Sequence, residues 1–376
     1  MNFLTSKMYM SCSPFGNGSL RFVNRTLSSL ILVVFAVPGL FFTGCTTITQ
    51  DTSSSCKLFD VPPELTSEAL KDSAFVFYSP ALKGKKFFLD PGHGGDDRKN
   101  KSPNGLVTEA DINLRVSLYL RDFLQRSGAI VYMSREKDQT VELKERTNIA
   151  NKTDADYFIS IHHNAPGKPS DRFTNYASTY YHATEDDYEH HPSNRDLARY
   201  INRDLAFNTG TPAGLASFDG TISDYLIYPG DGFSVLRNIN IPAVLVECTF
   251  FTNLNEELRL ADTMYNMTEA WGIYKGIGKY FRATPPTVSL KNKTTKKGNV
   301  QLKLEINSKQ PVLRHTIKIF CNKTLLSEDS FSLDKNILTV DLGDAYKRET
   351  EVKVIFSNKA GLSNLPFKLL LTPEVN

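Results

Sequence analysis

Apolar positions recur at helical spacing from Ile112 through Val116, Tyr119, Leu120, Phe123 and Leu124, and Gly128 ends the run. The same period predicts helices over Glu142–Asn151 and Asn194–Leu205, and a last one carrying Met267, Ala270, Trp271, Tyr274, Ile277 and Phe281 on one face. Between them lie short continuous apolar runs: Phe87–Leu89, Ala129–Met133, Tyr157–Ile161, Ser178–Tyr181 and Pro242–Val246. Runs of that length, alternating with helices, read as buried strands of a mostly parallel sheet. From Pro285 onward the period changes to two. VQLKLEI, HTIKIFC, ILTVDL, EVKVIFS and FKLLLT are separated by Gly, Asn, Asp and Ser turn signals, the pattern of an immunoglobulin-like β-sandwich. The fold class expected is therefore α/β, a mixed and mostly parallel sheet flanked by helices, with a C-terminal all-β sandwich.

The N-terminal region follows neither pattern. Leu27–Phe42 is almost wholly apolar for 16 residues, with Arg21 and Arg25 before it. A membrane-spanning helix needs about 20 such residues, so the run reads as an export signal. It ends in Phe42-Thr43-Gly44-Cys45, which resembles a bacterial lipobox and implies lipidation at Cys45. An uncleaved anchor and ordinary cleavage are the alternatives, and all three place the rest of the chain outside the cytoplasm. The organisation expected is a lipoprotein signal over 1–44, a tether over 45–83 (Ser/Thr-rich, with a short helix near 64–74), an α/β domain over 84–282 and the β-sandwich over 285–376.

Composition narrows the function only slightly. The 376 residues carry 44 Lys+Arg against 41 Asp+Glu, a net charge of +3. That balance gives no nucleic-acid footprint, and no nucleic-acid partner is expected. The sandwich is more basic, with 15 Lys/Arg against 9 Asp/Glu. Cys12, Cys45, Cys56, Cys248 and Cys321 show no zinc-finger or redox-pair spacing. Cys248 and Cys321 lie in apolar runs and read as buried small hydrophobes.

Three strands end in polar residues that could converge, since sites in α/β sheets form at the carboxyl ends of strands. His93 follows the first strand, His162-His163-Asn164 the third, and Glu247 the run over 242–246, while Glu109 opens the first long helix. Two imidazoles with one carboxylate suit a catalytic zinc, which keeps its fourth position for water. A second carboxylate, off the metal, would move the proton.

Six stretches in this order make the chain recognisable: FLDPGHGG (88–95), PNGLVTEADINL (103–114), MSREKD (133–138), LKERTNIAN (143–151), DADYFISIHHNA (154–165) and IPAVLVECTFFTN (241–253). The stretch from Lys86 to Phe281 resembles the zinc-dependent N-acetylmuramoyl-L-alanine amidases that cut bacterial peptidoglycan. The resemblance implies zinc on His93, Glu109 and His162, with Glu247 catalytic. It implies peptidoglycan as partner and a role in wall remodelling or cell separation, with a membrane reached through lipid on Cys45. Asn164 and His182 are the candidate substrate contacts.

The chain departs from that pattern in a His93–Glu109 loop lacking its usual glycines, and in His163 and Cys248 at positions that are usually small or apolar. Strand alternation turns His163 away from His162. Some relatives carry a long helix that plugs the site until an activator protein removes it. Residues 210–237 are too rich in Gly and Asp to predict one, although a partner that activates the enzyme remains an open expectation. The rival readings are a zinc peptidase cutting within the stem peptide, and a non-catalytic wall-binding lipoprotein.

Overall fold

A computed structural model describes residues 57–183, 191–214, 219–296, 299–346 and 349–372. All lie in one compact unit, Ser55–Asn376. The signal region, Cys45 and the acidic loop before His191 fall outside the described residues.

The elements run α1 (Pro63–Thr66), α2 (Glu68–Leu82), β1 (Lys86–Pro91), α3 (Glu109–Arg126), β2 (Ile130–Met133), α4 (Leu143–Asn151), β3 (Tyr157–Asn164), β4 (Ser178–Tyr181), α5 (Pro192–Thr209), β5 (Thr221–Ser223), α6 (Ser234–Arg237), β6 (Ala243–Phe250), α7 (Leu254–Leu260) and α8 (Thr263–Arg282). The strands form one six-stranded sheet in the order β2-β1-β3-β6-β4-β5. All its pairs are parallel except β4 against β6. The mixed, mostly parallel sheet is the one that the alternation of periods predicts.

The two faces of the sheet differ. Ile159, Ile161, Val244, Val246 and Cys248 pack under α2, α3, α5 and α8 in the larger core. Phe88, Phe158, Ala243 and Leu245 face α4 and α6 in a smaller one. Alternation along each strand decides which side chain goes to which face.

The short helix expected near 64–74 within the tether is present as two helices, α1 and α2, that reach Leu82 and pack on this core, so the tether does not extend to 83. Phe75, Tyr78 and Leu82 are buried, and Phe75 lies edge-on to Trp271 at 5.6 Å. The Ser/Thr-rich composition that suggests a tether ends before this stretch, and its apolar residues bury against α8. Glu247 also differs from expectation: β6 runs on to Phe250, so Glu247 sits within the strand.

The C-terminal part is a pair of antiparallel four-stranded sheets. Its strands are β7 (Thr287–Lys296), β8 (Asn299–Asn307), β9 (Lys318–Cys321), β10 (Thr324–Leu325), β11 (Phe331–Asp334), β12 (Ile337–Asp341), β13 (Thr350–Ile355) and β14 (Lys368–Leu371). It meets the α/β part where the Ser363 N–H donates to Asp196 Oδ2 at 2.7 Å and Leu362 joins the larger core. Among the described residues no helix is long and apolar enough to cross a membrane.

Candidate metal centre and active-site cleft

The carboxyl ends of β1, β3 and β6 bring the site together. His162 and Glu247 are register partners on neighbouring parallel strands, and β3 shifts register just beyond, between His162 and Asn164. Both continue the face that holds Phe158 and Leu245. His163 and Cys248, one residue on, continue the opposite face and are buried.

Beyond β1 the chain turns sharply. His93 has φ of +60°, a left-handed conformation that costs a non-glycine residue energy. Two arginines hold the turn. Arg146 donates to Asp90 Oδ1 (2.8 Å), Pro91 O (2.7 Å) and His93 O (2.8 Å). Arg135 donates to Pro91 O and Gly92 O, each at 2.9 Å. Asp90 also accepts from Ser134 and Ser160. Burial alone would raise the Asp90 carboxyl, but Arg146 and Ser134 outweigh it and hold the group below the usual carboxylate value. At Gly92 a Cβ would fall 2.2 Å from His162 Cε1, so only glycine leaves room for that ring.

Glu109 is the first residue of α3, where the unpaired N–H groups of a helix start favour a carboxylate. Its two oxygens face both histidines. Oε2 lies 3.2 Å from His93 Nε2 and Oε1 lies 3.1 Å from His162 Nδ1. The imidazole centroids are 5.0 Å apart. Asn100 donates to Oε2 at 2.6 Å, and Asn113 donates to Oε1 at 3.2 Å. Burial would raise the Glu109 carboxyl, yet the two rings hold it well below its usual value. Burial pulls His93 down, but Glu109 and Asp97 lift it to about 9. Asp97 Oδ2 sits 2.6 Å from His93 Nδ1, the carboxylate-behind-histidine arrangement that orients metal ligands.

Glu247 completes the group. Its Oε2 is closed to solvent and has no hydrogen-bond partner. Burial first, and the Glu109 charge second, push its carboxyl well above the usual value. The cleft, about 340 Å³, is lined by His93, His162 and Glu247 on one side and by Leu143, Tyr228 and Phe233 on the other. His93, Glu109 and His162 have ligand atoms within 4.8 Å of one another. That set of two imidazoles and a carboxylate, beside a buried carboxyl oxygen with no partner, fits a zinc ion with an acid–base group next to it.

Neither candidate substrate contact lines this cleft. Asn164 Oδ1 accepts from the Ala165 N–H. His182 turns to Asp224, 2.9 Å away, and borders a separate cavity against the β-sandwich. Sequence reading missed Asp97, Asn100 and Asp90 as supports of the site, whereas Arg135 and Arg146, read as braces of a helix or strand end, do brace the end of β1. Asp97 and Asn100 lie in a loop with no period to place them, although Asp97 stands one helical turn's length after His93.

The fold and site define an α/β domain with a candidate two-histidine, one-glutamate metal centre. A family model for N-acetylmuramoyl-L-alanine amidases matches residues 87–279, about half of the chain. The chain belongs to that family and is an amide-bond hydrolase. It is 32% identical over 225 residues to the germination-specific N-acetylmuramoyl-L-alanine amidase of Bacillus subtilis, covering 56% of this chain and 86% of that protein. It is 35% identical over 199 residues to N-acetylmuramoyl-L-alanine amidase LytC of the same organism, covering 53% of this chain and 36% of LytC. The crystal structure of an N-acetylmuramoyl-L-alanine amidase from Clostridium difficile 630 is 28% identical, with a TM-score of 0.46, over 54% of this chain and 99% of that one.

Proposed function

We propose that this chain hydrolyses the amide between the lactyl group of N-acetylmuramic acid and L-alanine in peptidoglycan, with zinc held by His93, Glu109 and His162. When bound, zinc supplies a Lewis acid for the carbonyl and lowers the pKa of water. Glu247 takes the proton of the attacking water and returns it to the alanine nitrogen as the C–N bond breaks. Its raised carboxyl suits both halves of that task. Asp97 fixes the tautomer of His93, Asn100 and Asn113 aim Glu109, and the apolar wall of Leu143, Tyr228 and Phe233 excludes water beside the scissile bond. The observation that carries the reading is the unpartnered Oε2 of Glu247 beside the three converging ligands.

The rest of the chain fits an envelope enzyme. Lipid on Cys45 would hold it to a membrane outside the cytoplasm, and residues 46–62 would serve as the tether. The β-sandwich, with its excess of Lys and Arg, would contact wall polymer or a partner. Failure of Cys45→Ala to lose labelled fatty acid would remove the anchor from this account.

Digestion of purified peptidoglycan tests the reaction. Zinc-dependent release of intact stem peptides with free L-alanine amines, absent in Glu247→Ala, is the expected result. Cuts within the stem would make the protein a zinc peptidase. No cutting until a second protein is added would establish an activator.

A further inference from the structure

Behind the cleft, on the opposite face of the sheet, a second set of polar side chains is fully buried. Asn113, Glu269 and Asn266 have no exposed surface and His163 has 2%. Their hydrogen bonds can be assigned in order. Asn113 Nδ2 donates to Gly92 O and to Glu109 Oε1, both at 3.2 Å. Its Oδ1 can therefore only accept, and it lies 2.7 Å from His163 Nδ1. The ring proton must then be on Nδ1. His163 Nε2 lies 3.1 Å from Glu269 Oε1. Two acceptors do not approach so closely without a proton between them, so a second proton lies on this contact. Glu269 Oε2 accepts from Asn266 Nδ2 at 3.2 Å, and Asn266 Oδ1 accepts from Arg115 Nε at 2.8 Å. The backbone N–H of His163 donates to Glu109 Oε1 as well, at 3.2 Å.

We propose that His163 and Glu269 are positioning residues for the metal centre: together they lock the Asn113 amide, and through it the Glu109 carboxylate. An amide has two orientations. The flipped one would turn Oδ1 toward the Glu109 carboxylate, lone pair against lone pair. It would also turn Nδ2 toward the Nδ1–H of His163, donor against donor. His163 thus forbids the orientation that would push Glu109 out of line. Glu269 keeps the His163 ring in the rotation and tautomer that this requires. The inference rests on the zinc assignment above.

Zinc dissociation constants of the full chain, from competition with a chromophoric chelator, test it beside the melting temperature of the metal-free protein. His163→Leu/Glu269→Met removes both partners at similar volume, so no lone buried charge remains. It is expected to melt within a few degrees of the parent yet bind zinc about 10–100-fold more weakly. Asn113→Ala is expected to weaken zinc to the same degree, and adding the double change to it should cost nothing further. Glu269→Gln can donate to Nε2 and keep the Nδ1–H tautomer, so it should stay within about threefold of the parent. Should the double variant fail to fold, the last two variants decide. Unchanged zinc affinity in the double variant or in Asn113→Ala would overturn the proposal. So would two zinc ions per parent chain with one lost in Cys248→Ala, because His163, Cys248 and Glu269 also have ligand atoms within 4.8 Å of one another. His93→Ala separates the two layers. Retained zinc there would sink the metal assignment itself. Loss there, with none in the double variant, would sink only the positioning role.

Discussion

One residue of strand separates two very different environments. His162 and Glu247 lie near the carboxyl ends of β3 and β6 on the cleft face; His163 and Cys248 follow them on the core face. On the core face His163, Asn113, Glu269 and Asn266 form one connected set of hydrogen bonds. On the cleft face Glu247 has a buried oxygen with none. A folded chain tolerates an unpaired buried oxygen at a cost of about 1–3 kcal/mol. The difference teaches where function sits: the carboxyl of Glu269 is held in a network of side chains, while that of Glu247 faces the cleft beside the candidate metal ligands.

Substitutions on each side sharpen that contrast. Glu247→Gln should lower kcat by about 10²–10⁴-fold, while chemical denaturation finds the protein as stable as the parent or more so. A large loss of stability would mean that Glu247 is structural. Arg146→Ala strikes the ion pair beneath both faces. It leaves Asp90 buried without its cation, at a cost of about 3–5 kcal/mol in a denaturant titration, and frees the His93 carbonyl. The same pair sets an acid limit. Because the folded Asp90 carboxyl lies below its unfolded value, its stabilisation is present above the usual carboxylate range. It fades as pH falls through the folded value, so Asp90→Asn should flatten the acid side of the stability profile. Gly92→Ala forces the His162 ring aside for about 1–3 kcal/mol, and zinc titration should show weaker binding. His182→Ala is the smallest change. Lying outside the cleft, it should leave kcat/KM within about twofold while lowering the melting temperature slightly, because Asp224 loses one of its donors. A large fall in kcat/KM would return His182 to the substrate site.

Much of this was open to sequence reading. The 3.6 and 2.0 periods mark where helices and strands fall, because burial of one face imposes them. Six ordered motifs point to the amidase family, and the polar residues at three strand ends point to His93, His162 and Glu247. Less legible was the boundary near Lys83, since the apolar stripe of α2 is weak and its partner, α8, lies some 190 residues on in the chain. Asn164 and His182 were plausible contacts by position alone. In the fold Asn164 lies beyond the register shift in β3, and His182 turns to the buried carboxylate of Asp224.

The amino-acid sequence by itself determined the class of fold, the family and the identity of the four residues that converge, because these depend on local period and on residue types in order. Only the tertiary structure decided which polar groups are paired and which are left open. The face of a strand, the flip of the Asn113 amide and the empty partner position of Glu247 depend on contacts between α3, β3, β6 and α8. Elements so far apart in the chain acquire those contacts only when the sheet and its covering helices close into one core.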